Sequence, residues 1–148
     1  MNVRDLISKH EGRVEYAYQD SLGYWTIGVG HLIDKRRGGA IPESIIDALL
    51  DYDIDAVKAE LFKELPDVAK LGEVRQAVLI DMAFNLGVSG LLGFHNFLLA
   101  VHKADYAAAS VDMLNSRWAT QVGHRAIELS HMMKTGEWNG QPAHTHVD

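Results

Sequence analysis

The sequence predicts an α+β fold that is mostly helical, with a small sheet near its amino end. Beyond residue 42, apolar residues recur at helical spacing through most of the chain. Residues 14–33 instead combine Tyr, Trp, Ile and Val with three glycines, which is typical of short antiparallel strands joined by tight turns. With 148 residues, 47% of them hydrophobic, the chain is long enough to bury a substantial core.

A short amphipathic helix is predicted over residues 3–11. Its apolar-face residues follow the i, i+3, i+4, i+7 pattern and are Val3, Leu6, Ile7 and His10. Gly12 follows as a stop, so Glu11 lies in the last turn. The negative pole of the helix dipole lies at this end and disfavours an ionised carboxylate, which suits a proton donor.

The predicted sheet contains a turn and a strand with a sparsely covered face. Asp20-Ser21-Leu22-Gly23 has the residue types of a turn. Alternation from residue 24 to residue 31 places Thr26 on one face with two glycines, and His31 on the other face. Glycines beside Thr26 would let a ligand approach that face closely.

Helical periodicity takes over after residue 41. Ile41-Pro42-Glu43 predicts a helix start, and the apolar spacing continues to about residue 64, before Pro66. Such a helix spans roughly 30 Å. Residues 73–86 are apolar on nearly every side, which predicts a buried central helix. Shorter helices are predicted over residues 94–102, 105–115 and 123–134, and residues 139–148 are predicted to be a frayed tail.

These elements predict one domain, residues 1–148, built from two lobes. Residues 12–41 would form a small β lobe, residues 42–64 an inter-lobe helix, and residues 1–11 and 65–138 a helical lobe. Two lobes joined by a connector create a cleft, which is the usual place for a ligand site.

Composition excludes several function classes. The net charge is −6, and residues 42–72 account for −5 of it, with 8 acidic and 3 basic residues. No basic face points to nucleic-acid binding. No apolar run is long enough for a transmembrane helix, so no membrane anchor is predicted, and the charged amino end is not a signal peptide. With no cysteine there is no disulfide framework.

Glu11, Asp20 and Thr26 together suit cleavage of a glycosidic bond. That reaction needs one protonated carboxyl group and one ionised carboxylate, held in different environments. Glu11 lies at a helix end beside apolar residues, whereas Asp20 lies in a polar turn. The Thr26 hydroxyl can both donate and accept a hydrogen bond, which suits it to holding a water molecule.

These motifs resemble the phage-type lysozymes, the endolysins of glycoside hydrolase family 24. The resemblance rests on His10-Glu11-Gly12, the eight residues between Glu11 and Asp20, and the segment from Gly23 to His31. It continues through Asp81–Gly87, Ser116-Arg117-Trp118, Arg125-Ala126 and Thr135-Gly136-Glu137-Trp138, and covers about residues 3–138.

The resemblance implies a muramidase that hydrolyses the β-1,4 bond between N-acetylmuramic acid and N-acetylglucosamine in peptidoglycan, with inversion. It makes Glu11 the general acid, Asp20 the second carboxylate and Thr26 the water-positioning hydroxyl. A Glu11–Asp20 carboxyl separation of roughly 6.5–9.5 Å is therefore expected.

The resemblance also assigns supporting residues. Leu32 and Phe84 would line the sugar subsites, and Arg125 would face the general acid. His31 would form a structural pair with Asp53.

Two positions depart from the family pattern. Phe97 and Asp112 stand where some relatives carry sugar- or peptide-contacting residues.

The expected partner is bacterial peptidoglycan, with no nucleic acid, and neither a metal nor an organic cofactor is expected. His144 and His146 are interpreted as a tail feature rather than as metal ligands. The resemblance implies a monomer that stays in the host cytoplasm until lysis and needs a holin-type pore to reach the periplasm and wall.

Two other functions compete with the hydrolase. A lytic transglycosylase cleaves the same bond without water, which would leave Asp20 and Thr26 without a role. A non-catalytic peptidoglycan-binding domain would normally have lost a carboxylate, whereas both are present here.

Overall fold

The computed structural model describes residues 2–19, 22–28, 31–32 and 40–139. The chain divides into two compact units, Met1–Leu49 and Leu50–Asp148. The described part is mostly helical with a small antiparallel sheet, which confirms the predicted α+β class.

The first unit begins with helix α1, Val3–Glu11, as predicted. Its start is capped by Asn2, whose side-chain oxygen accepts a hydrogen bond of 2.9 Å from the backbone N–H of Asp5. Its end is set by Gly12, whose φ of 80° few other residues adopt and whose N–H donates to the Ser8 carbonyl. Glu11 is therefore the last residue of the helix.

Three antiparallel strands follow in the order β1-β2-β3. They are β1, Val14–Gln19; β2, Trp25–Gly28; and β3, His31–Leu32. The register between β1 and β2 is irregular between Val14 and Tyr18. The sequence predicts one alternating strand from residue 24 to residue 31. In the structure, β2 ends at Gly28, and residues 31–32 form β3, which pairs antiparallel with β2.

Helix α2, Glu43–Glu64, crosses the division between the two units and ends where the sequence predicts. A 3₁₀ turn, Pro66–Lys70, follows it. Proline cannot supply the N–H that a continuing helix needs, so α2 ends before Pro66.

Six further helices make up the rest of the described second unit. They are α3, Glu73–Leu86; α4, Val88–Leu92; α5, His95–His102; α6, Tyr106–Leu114; α7, Arg117–Val122; and α8, His124–Thr135. Helices α3, α5, α6 and α8 match the predicted segments closely. The two short helices α4 and α7 and the 3₁₀ turn were not predicted.

The core of the second unit is built around α3. This helix buries Val78, Leu79, Met82 and Ala83. It is not buried on every side, however, because Phe84 is 42% exposed. Other helices contribute the remaining large buried side chains, which include Leu61, Leu91, Phe97, Met113 and Met133.

Two of the sequence motifs join through one hydrogen bond. The indole N–H of Trp118 donates to the side-chain oxygen of Asn85 over 2.8 Å. Phe94 packs edge-on against the Trp118 ring. Ser116 caps α7 by accepting from the Ala119 N–H. These contacts give the Asp81–Gly87 and Ser116-Arg117-Trp118 motifs a structural role.

Arg75 ties α3 to the end of α8. Its guanidinium donates to the carbonyls of Met133 at 2.8 Å and Lys134 at 3.1 Å, where the negative pole of α8 favours a cation. The guanidinium carbon also lies 3.6 Å from the centre of the Tyr106 ring. One side chain thus holds three helices.

Ala104, between α5 and α6, has a φ of 57°, and it is the sole non-glycine residue with positive φ among those the structure describes. This conformation costs an L-residue roughly 1–2 kcal/mol. Glycine relieves this strain, but its greater freedom in the unfolded chain offsets part of the gain. We therefore expect Ala104→Gly to raise the free energy of unfolding by up to about 1 kcal/mol. Urea denaturation measures this.

The matched control is Ala59→Gly, at an exposed position inside α2. It should lower the free energy of unfolding by roughly 0.5–1 kcal/mol. A loss of stability at both positions would contradict the strain at Ala104.

Candidate active site

Glu11 is held at the carboxyl end of α1, directly before Gly12 caps the helix. The side chain of Glu11 and all of Asp20 lie outside the described residues. The predicted separation of the two carboxyl groups therefore remains a prediction.

Thr26 lies on β2, the central strand of the sheet. Its side chain is only 4% exposed, and its hydroxyl donates to the Tyr24 carbonyl over 3.2 Å. The expected open face around Thr26 is therefore wrong. The neighbouring strands place Tyr18 and Leu32 opposite Thr26, on the same face of the sheet. The alternation pattern of a single strand does not predict these neighbours.

Leu32 pairs with Thr26 in the register of β2 and β3, and its side chain is 39% exposed. Directly opposed residues of antiparallel strands share one face of the sheet. The residue predicted to line a sugar subsite thus lies beside the residue predicted to hold water.

His31 pairs with Ile27 in the same ladder. Its side chain lies outside the described part of the structure, while Asp53 is an exposed residue of α2. The His31–Asp53 pair therefore remains a prediction.

Phe84 and Arg125 belong to the second unit. The substantial exposure of Phe84 leaves its ring accessible to a ligand. Arg125, on α8, forms a two-point contact with one carboxylate oxygen of Asp81 on α3, with Nε at 2.9 Å and Nη2 at 2.7 Å. Both side chains are partly exposed.

Sequence reasoning missed Asp81 as the partner of Arg125. The available signal was an acidic residue inside an otherwise apolar helical segment, between Ile80 and Met82. A carboxylate at such a position usually serves a charged partner. Asp81 fixes the direction of the Arg125 guanidinium, and its charge offsets that of the arginine.

Phe97 is buried in the core of the second unit, with 1% of its surface exposed. Its ring packs edge-on against Phe94. A side chain buried in this way is closed to a surface ligand. Asp112, on α6, is half-buried.

In the described ranges, no group of three or more His, Cys, Asp or Glu side chains could hold a metal ion. His144 and His146 lie outside those ranges, as do residues 140–148 of the predicted tail. No helix among the described residues is long and apolar enough to cross a bilayer.

Comparison with known proteins identifies relatives along nearly the whole chain. This chain is 28% identical over 165 aligned positions to "Probable T4-type lysozyme 1" of Dictyostelium discoideum. The alignment covers 93% of this chain and 96% of the relative. It is 28% identical over 120 positions to an endolysin of Acyrthosiphon pisum secondary endosymbiont phage 1, covering 81% of this chain and 80% of the relative.

The same sequence type also occurs inside a larger protein. The chain is 27% identical to the pre-baseplate central spike protein Gp5 of Enterobacteria phage T4, over 92% of this chain but 28% of the spike protein. The family model described as phage lysozyme matches residues 8–133, a range that contains Glu11, Asp20 and Thr26. The chain therefore belongs to the phage lysozyme family.

Proposed function

We propose that this chain is a lysozyme that hydrolyses the β-1,4 bond between N-acetylmuramic acid and N-acetylglucosamine in bacterial peptidoglycan. The observation that carries the proposal is the family match over residues 8–133, which includes a carboxylate, a second carboxylate and a hydroxyl at the expected spacing. Relatives named lysozyme and endolysin support the same activity.

Each of the three residues has a distinct step in the proposed reaction. The Glu11 carboxyl gives its proton to the leaving glycosidic oxygen. The Asp20 carboxylate activates a water molecule, which attacks the anomeric carbon from the opposite side and inverts it. Glu11 loses one proton to the leaving group and Asp20 gains one from the water, so the protons balance. The reaction requires no cofactor.

Thr26 would hold the attacking water. Its hydroxyl gives its hydrogen to the Tyr24 carbonyl, which leaves oxygen lone pairs free to accept a hydrogen from water. A water held in this way directs its own lone pairs outward. Because Thr26 is buried, only a small molecule such as water would reach it.

Replacing Thr26 with Val or Ser tests this role. Val keeps the β-branched shape of the strand residue but removes the hydroxyl, so we expect turnover on peptidoglycan to fall by about 10²-fold. Ser keeps the hydroxyl and should retain most of the turnover. Equal turnover by the Val and Ser variants would refute the water-holding role.

Arg125 is proposed as a positioning residue for the general acid, with Asp81 setting its direction. Asp81→Asn keeps the shape but removes the charge, so we expect kcat to fall by about tenfold with KM nearly unchanged. The partly exposed ion pair should contribute less than about 1 kcal/mol to stability. Unchanged kcat in the folded Asp81→Asn variant would contradict this role.

Access to the wall completes the proposal. The protein would act as a monomer, would remain in the host cytoplasm until lysis, and would reach the periplasm and wall through a holin-type pore. A relative named endolysin supports the lytic role, whereas the monomeric state, the cytoplasmic stage and the holin-type pore are proposed from the family resemblance alone.

The proposed activity is tested by incubating the protein with purified peptidoglycan and measuring soluble muropeptides. A lysozyme releases fragments progressively. A non-catalytic binding domain would sediment with the peptidoglycan and release nothing, and that outcome would overturn the proposal.

A further inference from the structure

The second unit contains a pocket of about 410 Å³. Its described lining includes none of the residues assigned to the reaction. The apolar wall includes Leu65, Val68, Leu79, Leu98, Val101 and Tyr106. Small-molecule sites typically measure roughly 300–1,000 Å³, with a mostly apolar lining and a few polar groups, so this pocket falls within their range.

The pocket is walled by several elements that hold it open. The end of α2 and the 3₁₀ turn form one side, and α3, α5 and α6 contribute the rest. Arg75 stacks on Tyr106 and is itself anchored to Met133 and Lys134. These contacts hold the Tyr106 ring in place in the wall of the pocket.

Ala104 lines the same pocket and has the positive φ described above. The turn that holds it is closed by hydrogen bonds from the Ala104 N–H to Val101 and from the Asp105 N–H to Ala100. Strained backbone conformations tend to occur at ligand sites.

The rim of the pocket carries two carboxylates beside one ammonium group, that of Lys70, and the His102 imidazole. Glu64 and Asp67 supply two carboxylates, and α2 ends at Glu64 with the negative pole of its dipole. Asp67 contacts Lys70 at 3.4 Å and His102 at 3.2 Å. These side chains are largely exposed, and exposed pairs of this kind are weak enough to exchange partners.

We propose that this pocket binds a small organic amine. The apolar ring or branched chain of the ligand enters between the leucine and valine side chains, beside Tyr106. Its ammonium group stays at the rim, replaces the Lys70 ammonium beside Asp67 and faces Glu64. The site goes beyond the proposed lysozyme activity and does not depend on it.

Three probes that share one ring system test the proposal: tryptamine, indole and indole-3-acetate, which carry cationic, neutral and anionic heads. Calorimetric titration of the full chain should give tryptamine an affinity about fivefold higher than indole, with indole-3-acetate weakest. Methyl resonances of Leu65, Leu98 and Val101 should shift on binding. Equal affinities, or shifts confined to Phe84 and the sheet, would overturn the proposal.

Variants test the contributions of the rim and of the apolar wall to binding separately. Asp67→Asn, at an exposed position, should bring tryptamine binding close to that of indole and leave indole binding unchanged. Leu98→Phe should reduce the affinity for all three probes, whereas Leu99→Phe, on the exposed side of α5, should not. Unchanged tryptamine binding in Asp67→Asn would refute the amine site even if Leu98→Phe fails to fold.

The Glu11→Gln variant distinguishes amine binding in this pocket from the proposed lysozyme reaction. It should bind tryptamine as the unaltered chain does, whatever its effect on peptidoglycan. Loss of tryptamine binding in that folded variant would overturn the assignment to this pocket.

Discussion

Glu11→Gln is expected to reduce the release of muropeptides from peptidoglycan by about 10²–10⁴-fold, the contribution typical of a general acid. The amide has nearly the size of the carboxyl group but cannot deliver a proton to the leaving oxygen. Because Glu11 is the last residue of α1, followed by Gly12, the change does not interrupt the helix. Initial rates on purified peptidoglycan measure the effect.

The matched control is Glu15→Gln, which removes the same charge from an exposed position on β1. Its rate should stay within about twofold of the original, since a surface charge acts only through screened, weak fields. Thermal unfolding of both variants shows whether each is folded. A Glu11→Gln protein that lyses permeabilised cells undiminished would remove Glu11 from the reaction.

Phe97→Ala is expected to lower the free energy of unfolding by about 3–5 kcal/mol. Its ring is buried and packs edge-on against Phe94, so truncation leaves a cavity within the core. For a chain of this length the melting temperature should fall by roughly 6–20 °C. Denaturant titration and calorimetry measure the two quantities.

Leu99→Ala is the control on the same helix, because Leu99 is exposed. It should cost less than about 1 kcal/mol. Phe97→Leu keeps more of the volume and should lose less than half as much as Phe97→Ala. Similar losses at positions 97 and 99 would contradict the placement of α5.

Long periodic segments could be predicted from the sequence because their packing face repeats along the chain. The apolar spacing that ends before Pro66 predicts α2, and the glycine after Glu11 predicts the end of α1. Helices α4 and α7 have five and six residues, which is less than two turns, so they show no repeat.

Contacts between distant residues could not be predicted in the same way. Asp81 and Arg125 are 44 residues apart, and Arg75 reaches a carbonyl 58 residues away. Pattern and spacing carry no information about which helices become neighbours. The family resemblance identified Arg125 but not its partner.

The candidate site was predicted mainly from spacing and resemblance. The helix end at Glu11 and the strand at Thr26 follow from local patterns, and the structure places both there. The burial of Thr26 depends on the pairing of β2 with both neighbouring strands, which alternation along one strand cannot express.

The mass of the muropeptides released from purified peptidoglycan tests the central claim most directly. Hydrolysis adds one water to the cleaved bond, so each fragment should end in a reducing N-acetylmuramic acid. A transglycosylase would instead leave anhydromuramic ends, lighter by one water. Reducing muramic ends are the predicted result, and anhydromuramic ends or reducing N-acetylglucosamine ends would contradict the proposed reaction.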